Sequence, residues 1–151
     1  MTAGNNKTSD KEQIRQLKTE LTNALRNKDV DGVAMQFAAE IVMFILAPPL
    51  QYKTGDNTSG GAGIEEWVDS FQGAIGYELR ELEITTGETV AFCHSLNRVS
   101  GTRTGGKQTD IRIRETLGLR KIEGRWKITH EHQSVPFYMD GGGKAAIDLK
   151  P

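Results

Sequence analysis

Residues 111–135 read Ile-Arg-Ile-Arg-Glu-Thr-Leu-Gly-Leu-Arg-Lys-Ile-Glu-Gly-Arg-Trp-Lys-Ile-Thr-His-Glu-His-Gln-Ser-Val, and this stretch decides the fold. Two β-rich runs flank Glu123-Gly124, and a glycine second in a two-residue loop supplies the positive φ of a primed hairpin turn. Ile111 to Ile122 is therefore expected to pair antiparallel with Arg125 to Val135. Strand side chains alternate in direction. Ile111, Ile113, Glu115, Leu117 and Leu119 then share one face, and Arg112, Arg114, Thr116 and Arg120 the other. In the second strand the same alternation groups Trp126, Ile128, His130 and His132 against Lys127, Thr129, Glu131, Gln133 and Val135. Neither set is purely polar, so a sheet covered on both sides is expected.

A chain of 151 residues has the size of one ordinary domain. Its 19 basic and 20 acidic residues give no general attraction to nucleic acid or to an anionic membrane, so neither is an expected partner. One cysteine, Cys93, excludes an internal disulfide and fits a reducing, cytoplasmic compartment. No apolar run approaches the length of a membrane span, and the first residues lack a signal-peptide core.

In chain order, residues 1–8 read as a disordered leader, and 9–151 as one domain. Ser9 and Glu12 form a capping box for a helix whose inner face carries Ile14, Leu17, Leu21, Ala24 and Leu25, with Arg15, Lys18, Glu20 and Arg26 on the wet side. A second, shorter helix carries Val30, Val33 and Phe37. A strand follows from Glu40 to Ala47, stopped by Pro48-Pro49. Gln51 to Gly63 is a polar loop of the kind that rims pockets. Ile64 to Ile75 reads as a third helix with Trp67, Val68 and Phe71 inward, and Tyr77–Thr85 and Glu88–Ser100 as strands, the first bulged between Leu79 and Leu82. Helices followed by a run of antiparallel strands make an α+β fold.

This order, with Phe-Ile-Leu-Ala-Pro-Pro-Leu at 44–50, Ala-Phe-Cys-His-Ser-Leu at 91–96 and the closing His-Glu-His-Gln-Ser-Val-Pro-Phe, resembles the nuclear transport factor 2-like, or cystatin-like, superfamily. Within it the chain is most similar to the ketosteroid isomerase-like and SnoaL-like proteins. The resemblance implies a cone-shaped half-barrel: a curved, mostly antiparallel sheet, its concave face covered by the N-terminal helices and holding a pocket, its convex face open to dimerisation. It places Ile45 where the isomerases carry their catalytic aspartate. An isoleucine accepts no proton, so true steroid isomerase activity is not expected. Glu115-Thr116, Glu123-Gly124-Arg125-Trp126 and His130 to Ser134 also resemble the association domain of calcium/calmodulin-dependent protein kinase. That domain's pocket arginines fall on His94, Leu117 and Gln133, so its anion-attracting character does not carry over.

The parity implied by this second resemblance puts His94, Glu115, Leu117, Glu131 and Gln133 on the concave face. His94 and Glu131 then become a candidate proton-transfer pair, because a carboxylate beside an imidazole shifts both groups. The alternative is a structural hydrogen bond. Ile45, Trp67, Phe71, Glu115, Leu117 and Gln133 are the expected pocket lining, with Trp67 and Phe71 also readable as plain core. Glu115 needs a partner if buried, and Arg98 is one candidate. Trp126, Ile128, His130 and His132 are the expected homodimer face, an aromatic and apolar stripe that would otherwise meet water. His130 and His132 project to one side, yet with no third ligand beside them they are read as interface or core residues, and no metal is expected. Arg112, Arg114 and Arg120 read as a solvated or interfacial stripe. Gly141-Gly142-Gly143 lacks the strand and helix that frame a phosphate loop, and no cofactor is expected. Two function classes follow. One is a protein, isomerase-like or cyclase-like if catalytic, that binds a small apolar or carbonyl-bearing molecule; the other is a non-catalytic dimerisation or partner-binding module.

Overall fold

The structure, a computed structural model, describes residues 8–55 and 63–151. Residues 1–7 of the expected leader and 56–62 of the Gln51–Gly63 loop therefore lie outside the described residues. Helix α1 (Asp10–Arg26) begins at the Ser9 cap, whose hydroxyl accepts from the Glu12 amide at 3.1 Å. Its inner stripe of Ile14, Leu17, Leu21 and Leu25 is buried as the spacing predicts. Lys18 departs from expectation: it is buried within that stripe, not on the wet side. Helix α2 (Val30–Ala34) is shorter than predicted, and Phe37 already opens strand β1 (Phe37–Phe44).

After the two-residue strand β2 (Tyr52–Lys53), helix α3 ends early. It spans Ile64–Asp69, because Phe71 enters the long strand β3 (Phe71–Thr86). Strands β4 (Val90–Arg103), β5 (Gln108–Ile122) and β6 (Arg125–Ser134) complete a six-stranded, curved and unclosed sheet in the order β2-β1-β6-β5-β4-β3. All pairings are antiparallel except β1 with β6. The helices cover one face and build the core against Leu117, Leu119, Ile128 and Val99. This is the expected α+β architecture.

Two irregularities set which residues meet. In β3 the register with β4 shifts between Arg80 and Glu83, with Glu81 at φ 53°, which is the predicted bulge. At the β5–β6 turn Glu123 and Gly124 both have positive φ, 51° and 79°, as a primed turn requires. Farther along this hairpin a second bulge lies where the sequence predicts smooth alternation. Gly118 pairs with His130 and Leu119 with Ile128, leaving Thr129 unpaired. One extra residue resets the alternation. Trp126 and Ile128 therefore face the helices, and so do Glu131 and Gln133 beyond the bulge.

The expected dimer face is corrected accordingly. Ile128 has no exposed surface, and Trp126 is buried with its Nε1 donating to Asp10 at 3.0 Å. Neither is available to a partner. His130 and His132 alone of the four turn to the outer face, where Phe44 packs edge-on against both rings.

Candidate active site

Under α1 the sheet carries a connected set of polar side chains. Lys18 descends from the helix one turn after Ile14 and one turn before Leu21 and Thr22. Its Nζ donates to Glu115 Oε1 at 2.5 Å, and the two side chains are 2% and 3% exposed. Tyr77 from β3 points its hydroxyl at Glu115 Oε2 at 3.5 Å and accepts from Asn97 Nδ2 at 2.9 Å. Ser95 in turn donates to Asn97 Oδ1 at 2.7 Å. Among the described residues no buried side-chain nitrogen or oxygen lacks a partner, as a stable buried polar network requires.

Glu131 joins this network from β6. It shares a rung with Leu117, and Leu117 with Cys93, while Met43 of β1 lies on its other side. Gln133 Nε2 donates to Glu131 Oε1 at 2.8 Å. Burial first, then the negative charge and hydrogen bonding of Glu115, push the Glu131 carboxyl up to about 8. The residue as a whole is half-buried, between Met43 of β1 and Leu117 of β5. Glu115 behaves oppositely. Burial alone would raise its carboxyl, but the Lys18 cation and hydrogen bonds from Lys18 and Asn97 hold it below the ordinary range. Two adjacent carboxyls are thus driven apart, one ionised and one proton-bearing, which is how acid and base roles are separated in enzyme sites. Burial, with Glu115 and Glu131 close by, also raises the Tyr77 phenol well above its usual value. It is a hydrogen-bond donor at neutral pH.

His94 does not take part. Along β4 the buried side chains are Ala91, Cys93, Ser95, Asn97 and Val99, so His94 points outward and is exposed, opposite Thr116 and Glu83. The residue sharing the Glu131 row is Cys93, whose buried thiol is raised to about 11 by desolvation. The His94–Glu131 pair is thereby replaced by Glu115–Glu131. Arg98 is likewise not the partner of Glu115; it is bonded to Asp110 on the outer face.

Of the expected lining, Glu115, Leu117 and Gln133 lie on the helix-covered face. Ile45, half-buried, follows β1 two residues after Met43. Phe71 is buried, with half-buried Trp67 edge-on at 5.2 Å. Phe71 pairs with Arg103, eight residues along β4 from Ser95. Lys18, Tyr77 and Asn97 escaped the sequence reading. For Lys18 a signal existed, since its spacing from Ile14 and Leu21 sets it in the apolar stripe. Among the described residues no group of three His, Cys, Asp or Glu side chains is placed to hold a metal, and no helix is long and apolar enough to cross a membrane.

Comparison with known proteins places this geometry. Residues 14–138 match the model of the SnoaL-like domain. An NTF2-like protein of unknown function from Pseudomonas putida KT2440 is 32% identical and superposes with a TM-score of 0.80, over 96% of this chain and 100% of that one. A Shewanella frigidimarina NCIMB 400 protein provisionally named a ketosteroid isomerase is 23% identical, with a TM-score of 0.63 over 79% of this chain and 92% of its own. The association domain of CaMKII from C. elegans is 17% identical, with a TM-score of 0.62 over 82% and 94%. No curated protein matches the sequence. With the family model spanning most of its length and its sheet and helices arranged as in these structures, the chain belongs to the SnoaL-like family of NTF2-like proteins.

Proposed function

We propose that residues 9–151 act as one small-molecule-binding domain whose pocket lies over Glu131, and that Glu131 offers its proton to a carbonyl or hydroxyl oxygen of an apolar ligand. The observation that carries this reading is the half-buried Glu131, hydrogen-bonded to Gln133 and set beside the buried Lys18–Glu115 ion pair, where burial and the Glu115 charge push its carboxyl up to about 8. A core needing only stability gains little from such a cluster, since apolar replacement of a buried ion pair is often neutral or stabilising. A neutral carboxylic acid in an apolar setting can donate a hydrogen bond to a developing oxyanion; ketosteroid isomerase is the known case of such an acid beside a tyrosine. Here Tyr77 is close to Glu115, but Ile45 stands where the resemblance puts the aspartate base. The reading is therefore isomerase-like or cyclase-like donor chemistry without that base. A cytoplasmic setting suits the free Cys93 thiol.

The test is NMR titration with a panel of apolar cyclic ketones and phenols. Saturable shifts at Met43, Glu131 and Gln133, lost in Glu131→Gln, support the reading. Shifts confined to the outer face, or none, contradict it.

A second reading, a homodimerising module, is favoured by one specific feature. Phe44, Phe92, His94, His130 and His132 lie on adjoining rungs of the outer face, and Phe92 is 49% exposed. Sedimentation at micromolar concentration tests it: a dimer is expected, and monomer alone contradicts it.

A further inference from the structure

On the outer face, away from α1, strands β3, β4 and β5 set two consecutive rungs side by side. One carries Arg80, Leu96 and Arg114; the next carries Glu78, Arg98 and Arg112. Arg98 is fork-bonded to Asp110, at 2.9 Å from both Nε and Nη2, and Arg112 Nη1 lies 3.4 Å from the same carboxylate. Glu78 reaches Arg98 at 3.7 Å. Arg114 Nε donates to the neutral Ser134 hydroxyl at 3.0 Å. Among the described residues neither Arg80, Arg114 nor Lys150 has a carboxylate within ion-pairing distance. Five side-chain cations thus face two side-chain carboxylates; Asp110 bridges the facing Arg98 and Arg112, which would otherwise repel each other across the sheet, and leaves the charges of Arg80 and Arg114 uncompensated.

The chain after β6 builds a wall over these rungs. The Ala146 amide donates to the Pro136 carbonyl at 2.7 Å, Ala146 is buried, and residues 149–151 then run beside the arginines. The half-open cavity between them is about 220 Å³; four arginines, Arg80, Arg98, Arg112 and Arg114, and Lys150 line it against one acidic side chain, Glu78, with the apolar Leu96 and Leu149 and the neighbouring Pro151 completing the wall. Guanidinium forks match the paired oxygens of phosphate and carboxylate. The volume falls below the range of about 300–1,000 Å³ usual for drug-sized ligands, which selects a compact anion with a short carbon skeleton.

We propose that this outer cavity is a binding site for a small dianion, a short phosphate ester or dicarboxylate, held by Arg112 and Arg114 with its carbon atoms against Leu96 and Leu149. The site is separate from Glu131, across the sheet from it, and does not depend on the reading of that residue. The arginine stripe expected from sequence to be merely solvated or interfacial becomes one wall of it.

The experiment is calorimetric and NMR titration with glycerol phosphate, inorganic phosphate and butanedioate, each against sodium chloride at equal ionic strength. The pH is held above the phosphate ester's second pKa of about 6. At least one dianion is expected to bind saturably, shifting the Leu96, Arg98 and Arg114 amides. Arg112→Gln and Arg114→Gln are each expected to weaken it tenfold or more, while Arg120→Gln, at the far end of β5, leaves it unchanged. Glycerol phosphate preferred over both others identifies an ester site; butanedioate preferred identifies a dicarboxylate site; preference for inorganic phosphate identifies the bare anion as the ligand and overturns the carbon-skeleton contact. Arg114→Gln, which relieves repulsion, is also expected to unfold at an equal or higher temperature than the native chain without anion. If all three dianions act as chloride does, or if both substitutions leave binding intact, the proposal fails.

Discussion

Lys18 and Glu115, 97 residues apart in sequence, form an ion pair of 2.5 Å with almost no exposed surface. The pair joins the first helix to the centre of the sheet, and its Glu115 charge adds to burial in raising the Glu131 carboxyl next to it. Removing one partner leaves an unpaired buried charge, which costs about 3–5 kcal/mol. Lys18→Met is accordingly expected to lower stability by that order in chemical denaturation. Lys18→Met combined with Glu115→Gln should recover a substantial part. Equal losses in the single and double variants would show that the ion pair is not what holds α1 to β5.

Stability should depend on pH through Glu131. Its folded-state value, about 8, lies above the ordinary 4.5, so the folded chain holds the proton more tightly than the unfolded one. The contribution is complete below the unfolded value and is lost as pH rises from there through about 8. Glu115 works in the other direction, its contribution present above the unfolded value and lost on acidification through its lowered one. Because the two carboxyls interact, the steps belong to the pair. Glu131→Gln is predicted to flatten the decline between pH 4.5 and about 8, as followed by thermal unfolding at a series of pH values.

Ile128, fully buried beside the Thr129 bulge, tests where the hairpin's faces lie. Ile128→Val should cost about 0.5–1.5 kcal/mol, the range for a buried methylene lost from a core, and should leave sedimentation unchanged. A shift in association with no loss of stability would return this residue to an interface.

No isomerisation of a 3-oxo-Δ5-steroid above the buffer rate is expected, since Ile45 offers no base. Turnover in a direct absorbance assay would require another proton acceptor, and loss of that turnover in Glu131→Gln would identify it.

The hairpin, the capped first helix and the β3 bulge could be read from residues because each has a local chemical cause: Gly124 in a primed turn, Ser9 and Glu12 at a helix start, a slip in apolar spacing after Leu79. The site could be read only in part. Lys18 looks like a solvated lysine until its spacing from Ile14 and Leu21 is given more weight than its charge. On β4 the larger apolar groups, Phe92 and Leu96, suggest the wrong inner face, because the true one is built from small or polar residues: Ala91, Cys93, Ser95 and Asn97. The parity implied by the association-domain resemblance, which puts His94 inward, agrees with that wrong face. In β6 nothing in the types Thr-His-Glu marks Thr129 as the extra residue. The bulge arises from register against β5, a tertiary effect, and it alone brings Trp126 and Glu131 to the same side.

The central claim is that Glu131 carries a proton at neutral pH beside an ionised Glu115. The direct measurement is a ¹³C NMR pH titration of the glutamate side-chain carboxyls, with the Glu131 signal assigned by its loss in Glu131→Gln. A midpoint near 8 is predicted for Glu131, with Glu115 remaining ionised below the ordinary glutamate value. A Glu131 midpoint at the ordinary 4.5 would contradict the account and leave the cluster without a proton to give.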